Sequence, residues 1–261
     1  MNFLNIDDKT FFITGVNNKK SVAFFTANVL IENGAKLIFS VQNEDQVNFC
    51  KKKFPDSRVL QTDLSSSESL KSLAQSLVST HLDGIVHSVA FARFESPSFH
   101  ETSFEEFSEA LKISAYSLVE LSNILKSNLT ANASIVTVSI SNLRATNYGY
   151  MGPIKAMLSS SIDYLAKSFS EFSKIRFNSV AAGPLKTSAA AGIPTYIENY
   201  LYCEELTLRK KNLDTLEVAN TIAFLLSPRS SGINASEIVV DAGMNVNYFD
   251  QSVVKSFSQN I

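Results

Sequence analysis

Short runs of consecutive apolar residues, rich in β-branched and aromatic side chains, recur along the chain, and longer stretches with helical spacing of apolar positions separate them. The runs at 10–14 (TFFIT), 36–41 (KLIFSV), 58–61 (RVLQ), 84–88 (GIVHS), 134–139 (SIVTVS), 176–181 (RFNSVA) and 237–240 (EIVV) predict strands. Most are apolar at successive rather than alternate positions, which is the pattern of strands covered on both faces, as in a parallel sheet. The stretches between them predict helices over 21–32, 44–53, 66–79, 104–127, 152–173 and 215–226, lengths that suit right-handed crossovers. The expected fold class is α/β, a doubly wound parallel sheet of about seven strands with helices on both faces. No linker or shift in composition interrupts the alternation, so one domain over 1–261 is the economical division.

Composition narrows the function classes. With 45% hydrophobic and 18% charged residues, the chain has material for a substantial core, and disorder is excluded. Lys+Arg 23 against Asp+Glu 25 leaves a net charge of -2 and no footprint for nucleic acid. The short basic runs at 51–53 and 209–211 read as solvated surface. Cys50 and Cys203 lack CxxC spacing and the three histidines are scattered, so no metal site is expected and a reducing compartment fits. No apolar run approaches the roughly 18 residues of a membrane span. Asp7 and Asp8 stand where a secretory signal needs its apolar stretch. The expectation is a cytoplasmic protein with no membrane partner.

Chemistry concentrates where strands give way to helices. The first strand ends at Thr14-Gly15, and a helical pattern begins near Ser21-Val22-Ala23, the place at which a dinucleotide fold binds pyrophosphate. Gly15 is the one glycine kept; Ser21 and Ala23 are small enough to let a phosphate approach the helix amides. At the second strand's end, Gln42 can hydrogen-bond an adenosine ribose. Neither Arg nor Lys stands there for a 2'-phosphate, and Glu44 and Asp45 follow, which favours NAD(H) over NADP(H). After the third strand, Asp63 can take the adenine amino group; its other reading is a helix N-cap, for which it stands a few residues early.

Tyr148 and Lys155 follow the fifth strand. Seven residues on a helix turn through about 700°, placing the two near one face and two turns apart, and the alternative sets Tyr148 on the loop leading into the helix. A lone Tyr-x6-Lys arises by chance. Here it belongs to an ordered set: Thr14-Gly15-Val16, Ser21-Val22-Ala23, Gln42-Asn43, Gln61-Thr62-Asp63, His87-Ser88-Val89-Ala90-Phe91-Ala92, Tyr148 to Lys155, Ala182-Gly183-Pro184-Leu185-Lys186-Thr187, Ala189-Ala190-Ala191-Gly192-Ile193 and Val240-Asp241-Ala242-Gly243. From about Ile6 to Val246 the chain resembles the NADH-dependent enoyl-acyl-carrier-protein reductases of bacterial type II fatty-acid synthesis, a divergent branch of the short-chain dehydrogenase/reductases with a Rossmann-like fold.

That resemblance implies reduction of the trans-2 double bond of an enoyl thioester carried on acyl carrier protein. It assigns Tyr148 as the donor to the thioester oxygen and Lys155 as the holder of the nicotinamide ribose. It further places Gly15, Ser21, Val22, Gln42, Asp63, Leu64, Ser88, Val89, Ala90, Gly183, Pro184, Leu185 and Thr187 on the NADH cofactor. Residues 188–201 become a lid over an acyl tunnel, with Ala92, Met151, Ala189, Ile193 and Tyr196 as its lining beside Tyr148. The family is usually a homotetramer through long helices like those at 104–127 and 152–173.

The chain also departs from the pattern. Ile140 stands where the bacterial enzymes usually carry a second, outer tyrosine, and the connection to Tyr148 is about two residues shorter than in the family. Tyr150 and Tyr196 are the candidates to fill that space. Ala90 and Ala242 replace typical glycines, and Pro153 lies in the first turn of the catalytic helix, where a missing amide is tolerated. Common ketoreductases place the tyrosine four residues before the lysine, a position held here by Met151. The competing readings are therefore a 3-oxoacyl or other carbonyl reductase and an NAD-binding paralogue with weak turnover.

Overall fold

Seven parallel strands form one sheet in the order β3-β2-β1-β4-β5-β6-β7. They are β1 (Thr10–Thr14), β2 (Lys36–Val41), β3 (Arg58–Gln61), β4 (Leu82–His87), β5 (Leu129–Ile140), β6 (Arg176–Ala182) and β7 (Ser236–Val240). This computed structural model describes residues 3–95, 98–141, 145–188, 190, 193 and 195–258. The α/β expectation holds, with the strand order reversing at β1, which pairs with β2 on one side and with β4 on the other. A sheet of this kind binds ligands at the carboxyl ends of its strands, where the order reverses.

One face of the sheet is covered by α1 (Val22–Glu32), α2 (Glu44–Lys53) and α8 (Thr215–Leu226), which close a core around Phe11, Ile13, Leu37 and Phe39. The other carries α3 (Ser67–Ser76), α4 (Phe104–Leu111), α5 (Ser117–Ile124) and α6 (Met151–Phe169) over Phe12, Ile85, Ile135 and Phe177. Because alternate residues of each strand point to opposite faces, both sets must be apolar, which explains the continuous rather than alternating runs. The basic run at 51–53 is the last turn of α2, opposite Glu44 and Asp45 in its first, so both ends complement the helix dipole.

The single helix expected over 104–127 is broken. Lys112–Tyr116 forms a π-helical turn between α4 and α5, brought about where Ser114 and Ser117 turn their hydroxyls to Phe91 and His87 of the neighbouring strand-end segment. Strand β5 is longer than expected, beginning at Leu129, because its exposed first residues lack an apolar pattern. Two further helices, α7 (Tyr196–Leu206) and α9 (Gln251–Ser258), were not predicted. Segment 188–201, expected as a loop-like lid, is therefore helical from Tyr196.

Ala242, one of the residues standing in place of a glycine, adopts φ +54, the left-handed region that costs a residue with a Cβ about 1–2 kcal/mol. Part of that gain is lost to the greater freedom of an unfolded glycine. Ala242→Gly is expected to raise stability by about 0.5–1 kcal/mol, read as a higher midpoint of thermal unfolding.

Candidate functional site

The ends of β1 and β4 lie side by side, with Thr14 in register with His87. Thr14 Oγ1 donates to Val86 O at 3.2 Å and accepts the Ser88 amide at 3.4 Å, tying the two strand ends together. Gly15 follows at φ +87, and a methyl group on it would stand 1.9 Å from Ser88 O. Helix α1 then starts behind Ser21, whose hydroxyl accepts from Phe24 N. Its first turn carries no acid, so the positive end of its dipole and its leading amides are open to an anion. Gln46 of α2 braces this turn: its Nε2 donates to Asn17 Oδ1 at 3.0 Å while its Oε1 accepts from Gln42 N at 2.8 Å.

The expected adenosine residues sit around the same edge. Gln42 and Asp63 are exposed, and Leu64 is buried. Asp63 Oδ1 accepts from both the amide and the hydroxyl of Ser65, at 2.8 and 2.6 Å, in a turn that leads to Ser66, the actual N-cap of α3. Val22 and Leu185, expected against the cofactor, belong to the core at 7% exposure each, so they can offer only backbone to a ligand. Thr62 beside Asp63 is buried with its hydroxyl unbonded, a polar group that sequence reading passed over.

Ser88 and Val89 are half-buried and Ala90 is exposed, so the Ala90 methyl is not packed into the fold. The segment after them is held firmly. Ser114 Oγ donates to Phe91 O at 3.0 Å and accepts Phe91 N at 2.8 Å. Tyr150 Oη accepts the amides of Arg93 and Phe94 at 2.9 and 3.2 Å, Glu106 accepts that of Glu95 at 3.0 Å, and Arg93 pairs with Glu109 at 2.7 Å. Tyr150, 3% exposed, is thus a brace for this wall and does not take the place of the outer tyrosine. Ala92 packs half-buried against the same cluster.

Tyr148 does not share a helix face with Lys155. It ends a 3-10 turn, Thr146–Tyr148, and Gly149 at φ +57 reverses the chain before α6 begins at Met151. The phenol is half-buried, and its hydroxyl makes no hydrogen bond to the described residues. Burial pushes it up to about 12, so it is a protonated donor at neutral pH. Met151, expected to line the acyl tunnel, is 1% exposed in the core under α6 and presents no open surface. Pro153 sits on the exposed side of the first turn of α6, which continues undisturbed to Phe169.

Lys155 is 5% exposed, and its Nζ donates to Val138 O at 2.8 Å. Burial pushes the ammonium down to about 8. Beneath it, His87 is completely buried between Thr137 Oγ1 at 2.9 Å and Ser117 Oγ at 2.8 Å. Ser117 spends its one proton on Ile113 O at 2.7 Å, so His87 Nε2 is the donor of that pair. Burial, then the charge of Lys155, push His87 down to about 3, and the neutral ring does not compete with the ammonium. The serines at 114 and 117 within a helical stretch were the signal in the sequence for this arrangement.

Gly183 donates to Val240 O at 2.9 Å and lies so close to Asp241 that a methyl group would meet its Cβ at 3.1 Å. Pro184 is half-buried, and Thr187 Oγ1 accepts the Ala190 amide at 3.2 Å. Asn18 of the Gly15 turn reaches across to Ser188 Oγ at 2.8 Å. Tyr196 donates to Leu185 O, and its phenol is pushed up by burial and, further, by any ionisation of the neighbouring Tyr200 and Tyr148, so of the two aromatic candidates it is the one on this side. Ile193 is half-buried, and Ala189 lies outside the described residues.

Comparison with known proteins bears on this arrangement. The sequence matches the family described as Enoyl-(Acyl carrier protein) reductase over residues 15–245. It is 35% identical over 253 residues to the enoyl-[acyl-carrier-protein] reductase [NADPH] FabI of Staphylococcus aureus, covering 93% of this chain and 98% of the relative. It is 30% identical to the enoyl-[acyl-carrier-protein] reductase [NADH] FabI of Escherichia coli over 94% of this chain and 97% of the relative. The solved enoyl-[acyl-carrier-protein] reductase (NADH) of Aquifex aeolicus superposes with a TM-score of 0.87 at 31% identity, covering 92% of this chain and 98% of its own.

Proposed function

From the premise that the chain belongs to the enoyl-(acyl carrier protein) reductase family, we propose that it reduces the trans-2 double bond of enoyl thioesters on acyl carrier protein in fatty-acid elongation. The cofactor is a pyridine nucleotide, and relatives of both the NADPH and NADH kinds exist. Our reading is NADH, supported by exposed, uncharged Gln42 and Asn43 and by Glu44 and Asp45 in the first turn of α2. The donor set fits such a group. The acid-free start of α1 suits a pyrophosphate, and Lys155 keeps two ammonium protons beyond the one on Val138 O for a ribose diol. Comparing kcat/KM for NADH and NADPH checks the preference.

Bound NADH supplies the hydride received by the β-carbon of the enoyl group. The protein's part is to receive the charge that then gathers on the thioester oxygen. Tyr148, protonated because burial holds its phenol near 12, donates to that oxygen. Lys155 orients the nicotinamide ribose, and the segment from Ser88 to Ala92, fixed by Ser114 and Tyr150, forms the wall beside it. Gly15, Ser21 and Thr187 border the pyrophosphate, while Gln42, Asp63 and Leu64 border the adenosine. Tyr196 and Ile193 border the acyl side.

Lys155 carries the reading, as a buried ammonium bonded to one carbonyl near the end of β5. Its charged form is the donor, so NADH affinity and kcat/KM are expected to fall as pH rises through about 8, measured by titrating NADH across neutral and alkaline pH. The function itself is tested by NADH oxidation with a trans-2-enoyl thioester beside a 3-oxoacyl thioester. Turnover of the enoyl compound alone supports it, and preference for the 3-oxoacyl compound returns the ketoreductase reading.

Assembly and location are part of the same proposal. Tyr116, Tyr164 and Phe172 are 45%, 76% and 63% exposed around α5 and α6, a concentration of apolar surface that supports a homotetramer, to be measured by sedimentation. No helix among the described residues is long and apolar enough to cross a membrane, and we place the protein in the cytoplasm.

A further inference from the structure

Glu237 lies half-buried on β7, the edge strand of the sheet. Its Oε2 accepts from Ser159 Oγ of α6 at 2.5 Å and from Ser179 Oγ of β6 at 2.9 Å. Ser159 Oγ in turn lies 2.7 Å from Ser139 Oγ of β5. One carboxylate therefore ends a chain of hydroxyl groups that joins the catalytic helix to three strands.

The direction of that chain follows from valence. An ionised carboxylate only accepts, so the single proton of Ser159 goes to Glu237, and Ser139 must donate to Ser159. The location matters as much. Ser159 stands one turn beyond Lys155 on α6, and Ser139 follows Val138, whose carbonyl holds Lys155 Nζ at 2.8 Å. The same two short stretches, 138–139 of β5 and 155–159 of α6, are thus joined twice, once through the ammonium and once through the serine pair.

We propose that Glu237 is a positioning residue for the reductase: by polarising the Ser139–Ser159 pair it holds α6 against β5 at the depth that turns the remaining protons of Lys155 toward the nicotinamide ribose. The proposal rests on the reading of Lys155 as the ribose-binding group. Without the carboxylate, Ser159 is free to turn its proton to the carbonyl one turn back in its own helix, as serine does in helix interiors, and the bond to β5 loses its direction. Nothing in this role requires Glu237 to touch substrate or cofactor.

The test compares E237V, E237Q, S159A and K155M in the full chain, following NADH affinity as a function of pH, KM for an enoyl thioester, and the thermal midpoint. E237V and S159A are each expected to weaken NADH binding about tenfold, the scale of one lost charge-assisted hydrogen bond, with little change in KM for the thioester. The alkaline fall in NADH affinity moves to higher pH in both, because a lysine released from its buried seat regains solvent. E237Q keeps an acceptor oxygen in the same shape and restores most of the affinity. The E237V/S159A double variant is no worse than either single one, since both interrupt one chain. A lowered thermal midpoint with unchanged NADH affinity and an unmoved alkaline fall in E237V and S159A overturns the proposal. If E237V does not fold, S159A decides by the same criteria, and E237Q is expected to bind NADH nearly as wild type does. Unchanged NADH binding by K155M overturns the reading of Lys155 and this proposal with it, whereas weakened binding by K155M beside normal binding by E237V and S159A overturns the proposal alone.

Discussion

Tyr148→Phe is expected to lower kcat for enoyl thioester reduction by about two to three orders of magnitude, the usual cost of removing one donor to a developing oxyanion. NADH affinity is expected to change by less than about twofold, because the hydroxyl makes no bond to the described residues of the folded chain. The ring itself packs against the cluster under α4 and α6, so phenylalanine preserves the packing and removes only the donor. Burial holds the phenol near 12, which keeps the wild-type donor protonated at any pH the assay uses and prevents the comparison from being blurred by its titration. Loss of nicotinamide absorbance with the enoyl thioester, wild type beside variant, reads the effect. A variant that retains turnover would transfer the donor role elsewhere, and Tyr196 is the group placed to receive it, its hydroxyl now spent on Leu185 O.

The parts of this site that were legible in the sequence are those fixed by local chemistry. A glycine after a buried strand, small residues at the start of the next helix, and the absence of a base after β2 are each read at their own position. What escaped was set by contacts between distant segments. The wide turn at Lys112–Tyr116 exists because Ser114 and Ser117 bond to Phe91 and His87, residues far away in sequence. Tyr150, two residues from Tyr148, looked like a replacement for the missing outer tyrosine, yet its hydroxyl is turned away to receive the amides of Arg93 and Phe94. Of the two placements the sequence left open for Tyr148, the one on the loop leading into the helix holds, for a local reason. Gly149 takes φ +57 and ends the tyrosine's turn before α6 starts, so the seven-residue spacing is not a helical one. Helix α7 went unseen because its apolar residues, Tyr196, Ile197, Tyr200 and Leu201, do not form a single stripe: Tyr200 is buried while Ile197 and Leu201 are 71% and 56% exposed.

Gly15→Ala is expected to lower NADH affinity by about two orders of magnitude and stability by about 2–5 kcal/mol, as the strain of a left-handed alanine adds to overpacking. At φ +87 the backbone is already unfavourable for alanine, and its methyl group would stand 1.9 Å from Ser88 O, a backbone atom that no rotamer change can move aside. Either the Gly15 turn or the Ser88 segment must shift. Ser88 is held on one side by Thr14 through the Val86 strap and, three residues on, by the paired bonds between Phe91 and Ser114. The turn is held by Gln46 through Asn17. Whichever gives way, the amides leading into α1 and the Ser88 to Ala90 wall lose their mutual register, and both border the nucleotide in the proposed function. Gly232→Ala is the matched control, because no atom lies within 4 Å of the added methyl group. A fluorescence titration with NADH and a thermal melt on the two variants separate the outcomes. Weak NADH binding in the first with normal binding in the second assigns the cofactor to the β1 turn, whereas a destabilised Gly15→Ala protein that binds NADH as tightly as wild type would move the cofactor away from it.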